Sequence, residues 1–277
     1  MKEKSYMIKK VDSARKYIDF INEINSDSNF SDPMLCTDKQ MKSNLFDAEN
    51  KKGHHIFGVF EEQELIGLFV FLIIEDENYI EMIVGLSKNP KAYEEILAFL
   101  KTEYKGYNID FVYNPRNYIL HRLLENEKAE FDVEQQKMVL KNEVVYCSNC
   151  QVELYSPKYR EQYSAMHSID TYWTADKVIA ATDIFRVILA IEKDDVVGYL
   201  DITHKYDENE PYDILVKPEY RRKGYGKAML AKAIELNKPN SMMLLVDVDN
   251  VGAIALYESL GFEKVLGENS ITAYLSL

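Results

Sequence analysis

Residues Pro218–Leu230 read PEYRRKGYGKAML. Arg221, Arg222 and Lys223 lead into Gly224, Tyr225, Gly226 and Lys227, and a helix-forming run follows. The stretch just before, Asp213–Val216 (DILV), has strand character. A strand–loop–helix unit aims free backbone N–H groups, and the positive end of the helix dipole, at whatever lies beyond the helix N-terminus. Glycine lets a bulky anion approach the backbone. Lys217 adds positive charge, and Glu219 is the only acid among these residues. The residues point to a phosphate, and a pyrophosphate suits the loop's size. The G-x-x-x-x-G-K-[ST] loop of nucleotide triphosphatases is absent, and the third glycine of the dinucleotide fingerprint is missing. The alternative is a basic surface turn ahead of an ordinary helix.

The rest of the chain is acidic. It has 277 residues, 47% hydrophobic and 29% charged, with net charge −13 and pI ≈ 5.0. Such a charge argues against nucleic-acid or anionic-lipid partners and leaves room for a local anion site. The apolar run Leu65–Ile74 is too short for the ~20 residues of a membrane-spanning helix. No signal-like core is visible near the N-terminus. Three cysteines, Cys36, Cys147 and Cys150, make no disulfide framework, so a cytoplasmic location is expected. Cys147 and Cys150 form a CxxC with no second ligand pair, which fits incidental loop cysteines better than a zinc site, and no metal is expected.

The sequence repeats itself. His55–Phe71 (HIFGVFEEQELIGLFVF) and Arg186–Ile202 (RVILAIEKDDVVGYLDI) both read as strand, charged turn, strand. Gly67 falls on Gly198 and Glu61 on Glu192; the same offset puts Phe131 on Phe262. Each half continues with a third strand, a helix (91–104; 225–237), a short strand, a second helix (117–126; 252–260) and closing strands. Helices are also expected at 13–24 and 158–169. In 225–237, Met229, Leu230, Ala233, Ile234 and Leu236 form an apolar stripe near the helical period. Strands mixed with helices in each half indicate an α/β (α+β) protein.

The pattern V-x-P-x-x-R-x-x-G-x-G, here Val216, Pro218, Arg221, Gly224 and Gly226, is followed by Asn250 and by ALYESLGF over Ala255–Phe262. Together these resemble the GCN5-related N-acetyltransferase (GNAT) superfamily, in detail over about residues 150–277. The resemblance implies two tandem GNAT-like domains, each a mixed, mostly antiparallel twisted sheet flanked by helices. The division expected is 1–141, a linker 142–151 and a catalytic domain 152–277. It implies that acetyl-CoA is held by Arg221, Arg222, Lys223, Gly224, Tyr225, Gly226, Lys227 and Asn250, with the backbone of Ile214, Leu215 and Val216 pairing with the pantetheine arm. It also implies an N-acetyltransferase moving acetyl to a primary amine of a small molecule. A non-catalytic acyl-CoA sensor or scaffold is the alternative. Tyr257, seven residues after Asn250, is given the role of general acid: a phenol near ~10 can protonate a departing thiolate. No motif fixes the base. Asp213 and Glu210 are the nearest carboxylates, Asp201 lies on the preceding strand, and His167 and His204 are weaker candidates.

The first half departs from this pattern. Setting Val84 on Val216 puts Asn89 at Arg221, Ala92 at Gly224 and Glu94 at Gly226. Both glycines are gone, Glu94 and Glu95 would repel a phosphate, and Pro90 removes a donor. This half is expected to keep the fold without the cofactor site.

Overall fold

The computed structural model describes residues 5–277 apart from 143 and 170. Its strands are β1 (Tyr6–Lys10), β2 (His54–Glu61), β3 (Glu64–Ile74), β4 (Tyr79–Leu86), β5 (Asn108–Tyr113), β6 (Glu130–Phe131), β7 (Gln135–Leu140), β8 (Gln151–Leu154), β9 (Phe185–Glu192), β10 (Asp195–Thr203), β11 (Glu208–Asn209), β12 (Pro211–Val216), β13 (Ser241–Asp247), β14 (Phe262–Lys264) and β15 (Ile271–Ser276). The α-helices are α1 (Ile18–Asn25), α2 (Asp38–Met41), α3 (Pro90–Glu103), α4 (Tyr118–Asn126), α5 (Arg160–Met166), α6 (Ala175–Ala180), α7 (Tyr225–Asn237) and α8 (Val251–Glu258). This is a mixed α/β architecture, its strands mostly antiparallel and flanked by helices. Among the described residues, no helix is long and apolar enough to cross a membrane.

Two compact units form, and they cut across the expected division at 142–151. One comprises residues 1–136 and 266–277, the other 137–265. The first holds a seven-stranded sheet ordered β1-β2-β3-β4-β5-β15-β6, so a strand from the end of the chain completes it. β15 pairs antiparallel with β5 over six residues and with β6 over two. The second unit holds the sheets β12-β10-β9-β8 and β11-β13-β7-β14, and β7 comes to it from the first half of the chain. Residues 144–150 carry no regular structure and belong to the second unit.

Apolar side chains explain the layering. On one face of the seven-stranded sheet, Phe57, Phe69, Phe71 and Ile80 pack with Tyr93, Leu97 and Leu100 of α3. On the other, Ile56, Leu68, Val70 and Val84 pack with Ile21 and Ile24 of α1. In the second unit, α7 buries Met229, Leu230, Ala233 and Ile234 against Ile188, Ala190, Leu200 and Met138. Tyr163 and Val178 cover the opposite face over Leu189 and Tyr199. Gly261, with φ +95, admits the chain returning at Asn142: a Cβ there would stand 1.5 Å from the Asn142 carbonyl oxygen. That close approach gives the glycine of Ala255–Phe262 a packing reason.

Two helix expectations change at their ends. Residues 13–24 begin as a 3₁₀ turn, Ala14–Tyr17, before α1. The expected helix 158–169 stops at Met166, because His167 turns extended (ψ 143) to reach a buried carboxylate.

The repeat is real in the backbone, but its register differs from the one expected. The β3–β4 pairing slips just after Val70, which faces Val84; the β10–β12 pairing slips just after Asp201, which faces Asp213. With Gly67 on Gly198, Val84 therefore falls on Asp213, Leu86 on Leu215 and Ser87 on Val216. The cause is a shortened loop. Residues 217–224 separate β12 from α7, whereas only 87–89 separate β4 from α3. Ala92 and Glu94 consequently lie inside α3, and Asn89 holds the capping place of Gly224. The first half has lost the loop itself, as well as its glycines.

Candidate active site

β12 is the edge of its sheet, and β13 belongs to another, so the outward backbone groups of Ile214–Val216 border an opening. A groove of about 660 Å³ lies there. Ile214, Leu215 and Val216 form one wall, Gly224–Lys227 at the start of α7 another, and Asn250, Gly252 and Tyr257 of α8 and its cap a third. Two helix N-termini therefore face one space, and their dipoles favour an anion in it. At α7 no side chain among the described residues caps the helix: Gly224 is the cap residue, at φ +94. A residue with a Cβ would be strained there and would meet the Tyr146 hydroxyl at 3.3 Å. At α8 the Asn250 side chain accepts from the Ala253 N–H (3.1 Å).

The basic residues divide their work. Arg221 and Arg222 line the groove, and Arg221 Nε donates to the Val216 carbonyl (3.0 Å), which fixes the loop to the strand end. Lys227 lines it too, with its ammonium 4.8 Å from the Tyr146 ring centre. Lys223 is not on the groove wall; its ammonium lies over Tyr220 (4.8 Å). Tyr225 lines the groove, but its hydroxyl donates to Glu192. Cys150 packs behind the loop, its thiol donating to the Lys223 carbonyl (3.6 Å).

Tyr257 lines the groove, and several titratable groups lie near it. Tyr257 is buried, and burial, followed by the charge of Asp213, pushes its phenol up to about 12. It keeps its proton throughout the neutral range. Asp213 accepts from the Tyr199 hydroxyl (2.7 Å) and stands cross-strand from Asp201. Asp201 accepts from Tyr163 and shares a hydrogen bond with His167 Nε2 (both 3.0 Å). Glu210 lies outside this cluster; burial, then the charge of Glu208, raises its carboxyl to about 7. His204 is occupied with the Thr182 carbonyl (3.0 Å). His167 was the weak candidate of the sequence and is central here; 34 residues separate it from Asp201, and no local spacing signals the pairing. The imidazole and the carboxylates of Asp201 and Asp213 have ligand atoms within 4.8 Å of one another. Both Asp201 oxygens already accept hydrogen bonds, an arrangement that holds protons.

In the N-terminal unit a smaller groove of about 370 Å³ lies between the start of α3 and α4, and the backbone beside it is engaged by the chain's own side chains. Asp32 accepts from the Gly85 N–H (2.8 Å), Tyr93 donates to the Ser87 carbonyl (3.1 Å), and Asn117 donates to Tyr93 (2.9 Å). Gly85 and Ser87 fall on Ile214 and Val216: Asp32 and Tyr93 hold the Gly85 N–H and the Ser87 carbonyl, while in the other unit Arg221 holds the Val216 carbonyl. Pro90 lacks an N–H and Asn89 caps Lys91, so α3 offers no free cradle. Asn117 caps α4 as Asn250 caps α8, but seven residues on stands Leu124 in place of Tyr257.

Comparison with known proteins agrees with this geometry. Residues 151–262 match the model of the Acetyltransferase (GNAT) family. The [Ribosomal protein bS18]-alanine N-acetyltransferase of Escherichia coli (strain K12) is 46% identical over 61 residues, 21% of this chain and 41% of that protein. The mycothiol acetyltransferase of Kocuria rhizophila is 45% identical over 58 residues, 20% of this chain and 19% of that protein. The match thus spans about two fifths, or less, of these relatives' length. A GCN5-related N-acetyltransferase from Sphaerobacter thermophilus shares the fold with TM-score 0.62 at 10% identity, over 97% of this chain and 95% of that one. A tandem GNAT protein from the clavulanic acid biosynthesis pathway does so with TM-score 0.53 at 9% identity, over 98% of each chain.

Proposed function

Because residues 151–262 match the acetyltransferase (GNAT) family, we propose that the chain is an acyltransferase that moves an acetyl group from acetyl-CoA to a primary amine of a small molecule. The observation that carries this reading is the groove running from the uncapped α7 N-terminus, along the open edge of β12, to the Tyr257 phenol. The amides and arginines at the outer end suit a pyrophosphate, and the edge of Ile214–Val216 suits an amide-bearing arm. In this reading Asp213 takes a proton from the ammonium form of the acceptor, so that the neutral amine attacks the thioester carbon; the second proton leaves nitrogen to water as the N–C bond forms. Tyr257 gives its proton to sulfur as the C–S bond breaks, and water restores the phenol, which holds its proton below about 12. Asp213 is preferred to Glu210 because its charge acts on Tyr257. Incubating the protein with acetyl-CoA and a panel of amines, with mass spectrometry of the products, tests the reading: an acetylated primary amine is expected, and no acetylated product from any amine counts against it.

The tandem reading, with halves 1–141 and 152–277 and one cofactor site, carries its own prediction. Calorimetric titration is expected to give one acetyl-CoA per chain, since in the first unit Asp32 and Tyr93 take up the Gly85 N–H and the Ser87 carbonyl and Asn89 caps α3. A stoichiometry of two contradicts it. Gly224→Ala is expected to weaken acetyl-CoA binding about five- to thirtyfold, from the ~1–2 kcal/mol cost of a left-handed conformation. Unchanged affinity in the same titration would argue against the loop as the cradle.

A further inference from the structure

The steps above leave unused the buried groups beneath Asp213. His167 Nδ1 lies 3.3 Å from the Ser168 carbonyl, which can only accept, so Nδ1 carries a hydrogen. Nε2 lies 3.0 Å from Asp201 and 3.9 Å from Asp213. The His167–Asp201 contact therefore holds one proton, and the pair is neutral overall whichever partner carries it. The Tyr199 ring stacks on the imidazole (5.1 Å, 18°) while its hydroxyl holds Asp213. The side chains of His167 and Asp201 are 2% and 0% exposed, that of Asp213 36%. Only Asp213 of the three meets the solvent side.

The N-terminal unit is an internal control. At the places of Tyr199, Asp201 and Asp213 it has Leu68, Val70 and Val84, all fully buried, with the same slip in strand register. The fold thus forms with aliphatic residues at these positions. Burying carboxylates there costs several kcal/mol per ion unless compensated, and like charges directly across a strand pair repel. The polar set is present where Tyr257 and the open groove are present, and absent where both are lost.

We propose that His167 and Asp201 are positioning residues for the proton acceptor Asp213. His167 is the counterion that lets two cross-strand carboxylates coexist, and Tyr199 aims the outer one at the groove. The inference rests on the acetyl-transfer reading. The groups facing the cluster are Tyr163 from α5, His167 beyond it, Tyr199 and Asp201 from β10, Asp213 from β12 and Tyr257 from α8, with Glu210 and Tyr212 just before Asp213. Without the imidazole, Asp201 and Asp213 compete for one proton.

The test uses the full chain, acetyl-CoA and two small nucleophiles: ethylamine, protonated at neutral pH, and hydroxylamine, which is not. CoA release is followed across pH. His167→Gln is expected to lower the ethylamine rate at neutral pH at least tenfold and to move the acid limb of its pH profile up by about one unit. The hydroxylamine rate and acetyl-CoA affinity should stay within about twofold. Adding Asp201→Asn should return the limb toward its original position. A limb that does not move in His167→Gln, or a hydroxylamine rate that falls in step with ethylamine, overturns the proposal. Should His167→Gln fail to bind acetyl-CoA, Asp201→Asn alone decides: it should leave the limb in place or lower it, and an upward movement overturns the proposal. If the unaltered protein releases CoA to neither nucleophile, the acetyl-transfer reading itself fails.

Discussion

Tyr257→Phe is expected to lower kcat by about 10²–10³, the range of a positioned general acid, while acetyl-CoA affinity stays within twofold. Phenylalanine keeps the ring, which packs against Phe262 with centroids 5.9 Å apart, so the fold should be untouched. Only the proton donor is lost. With the phenol held up to about 12, the unaltered enzyme should show no alkaline fall in rate from this group at neutral or mildly alkaline pH. Stopped-flow or steady-state CoA release, with calorimetric binding beside it, separates the two effects. An undiminished kcat would leave Tyr257 a packing residue. A parallel loss of binding would place its role in holding the donor.

Deleting residues 266–277 is expected to unfold the first unit, although the deleted segment follows the whole second unit in sequence. β15 lies between β5 and β6, and its six residues pair with all six of β5. Removing it uncovers the Ala273 position in the core and strands buried backbone groups, each at ~1–3 kcal/mol. Several such losses exceed the ~5–15 kcal/mol that holds a typical domain together. Hydrogen exchange of β4 and β5 amides reports the outcome: loss of protection is expected, and native protection would show that β15 is dispensable. For the same reason a fragment of residues 1–141 is expected not to fold alone.

The sequence made some features legible and hid others for physical reasons. The boundaries of α7, its apolar stripe and the Gly224 loop were readable because local spacing and turn chemistry determine them. Asn250 and Tyr257 were readable because one helix spaces them. The His167–Asp201–Asp213 cluster was not, since strand pairing across β10 and β12 and a turn after α5 assemble it from three places. The register of the repeat was misjudged by three residues because the loss occurred in a loop, where length changes freely. Strand exchange was equally hidden: β7 and β15 are both six-residue strands of mixed polarity, and nothing in either names its neighbour.

The placement of β15 also bears on the order of events during synthesis. A ribosome delivers the chain from its N-terminus, so every other strand of the first sheet emerges before residues 271–276 do. Until then β5 and β6 wait with an unfilled lane between them, open to wrong partners. The first unit therefore completes its sheet only after the second has been made, and a strand translated after the whole second unit is the closing piece of a sheet begun before it.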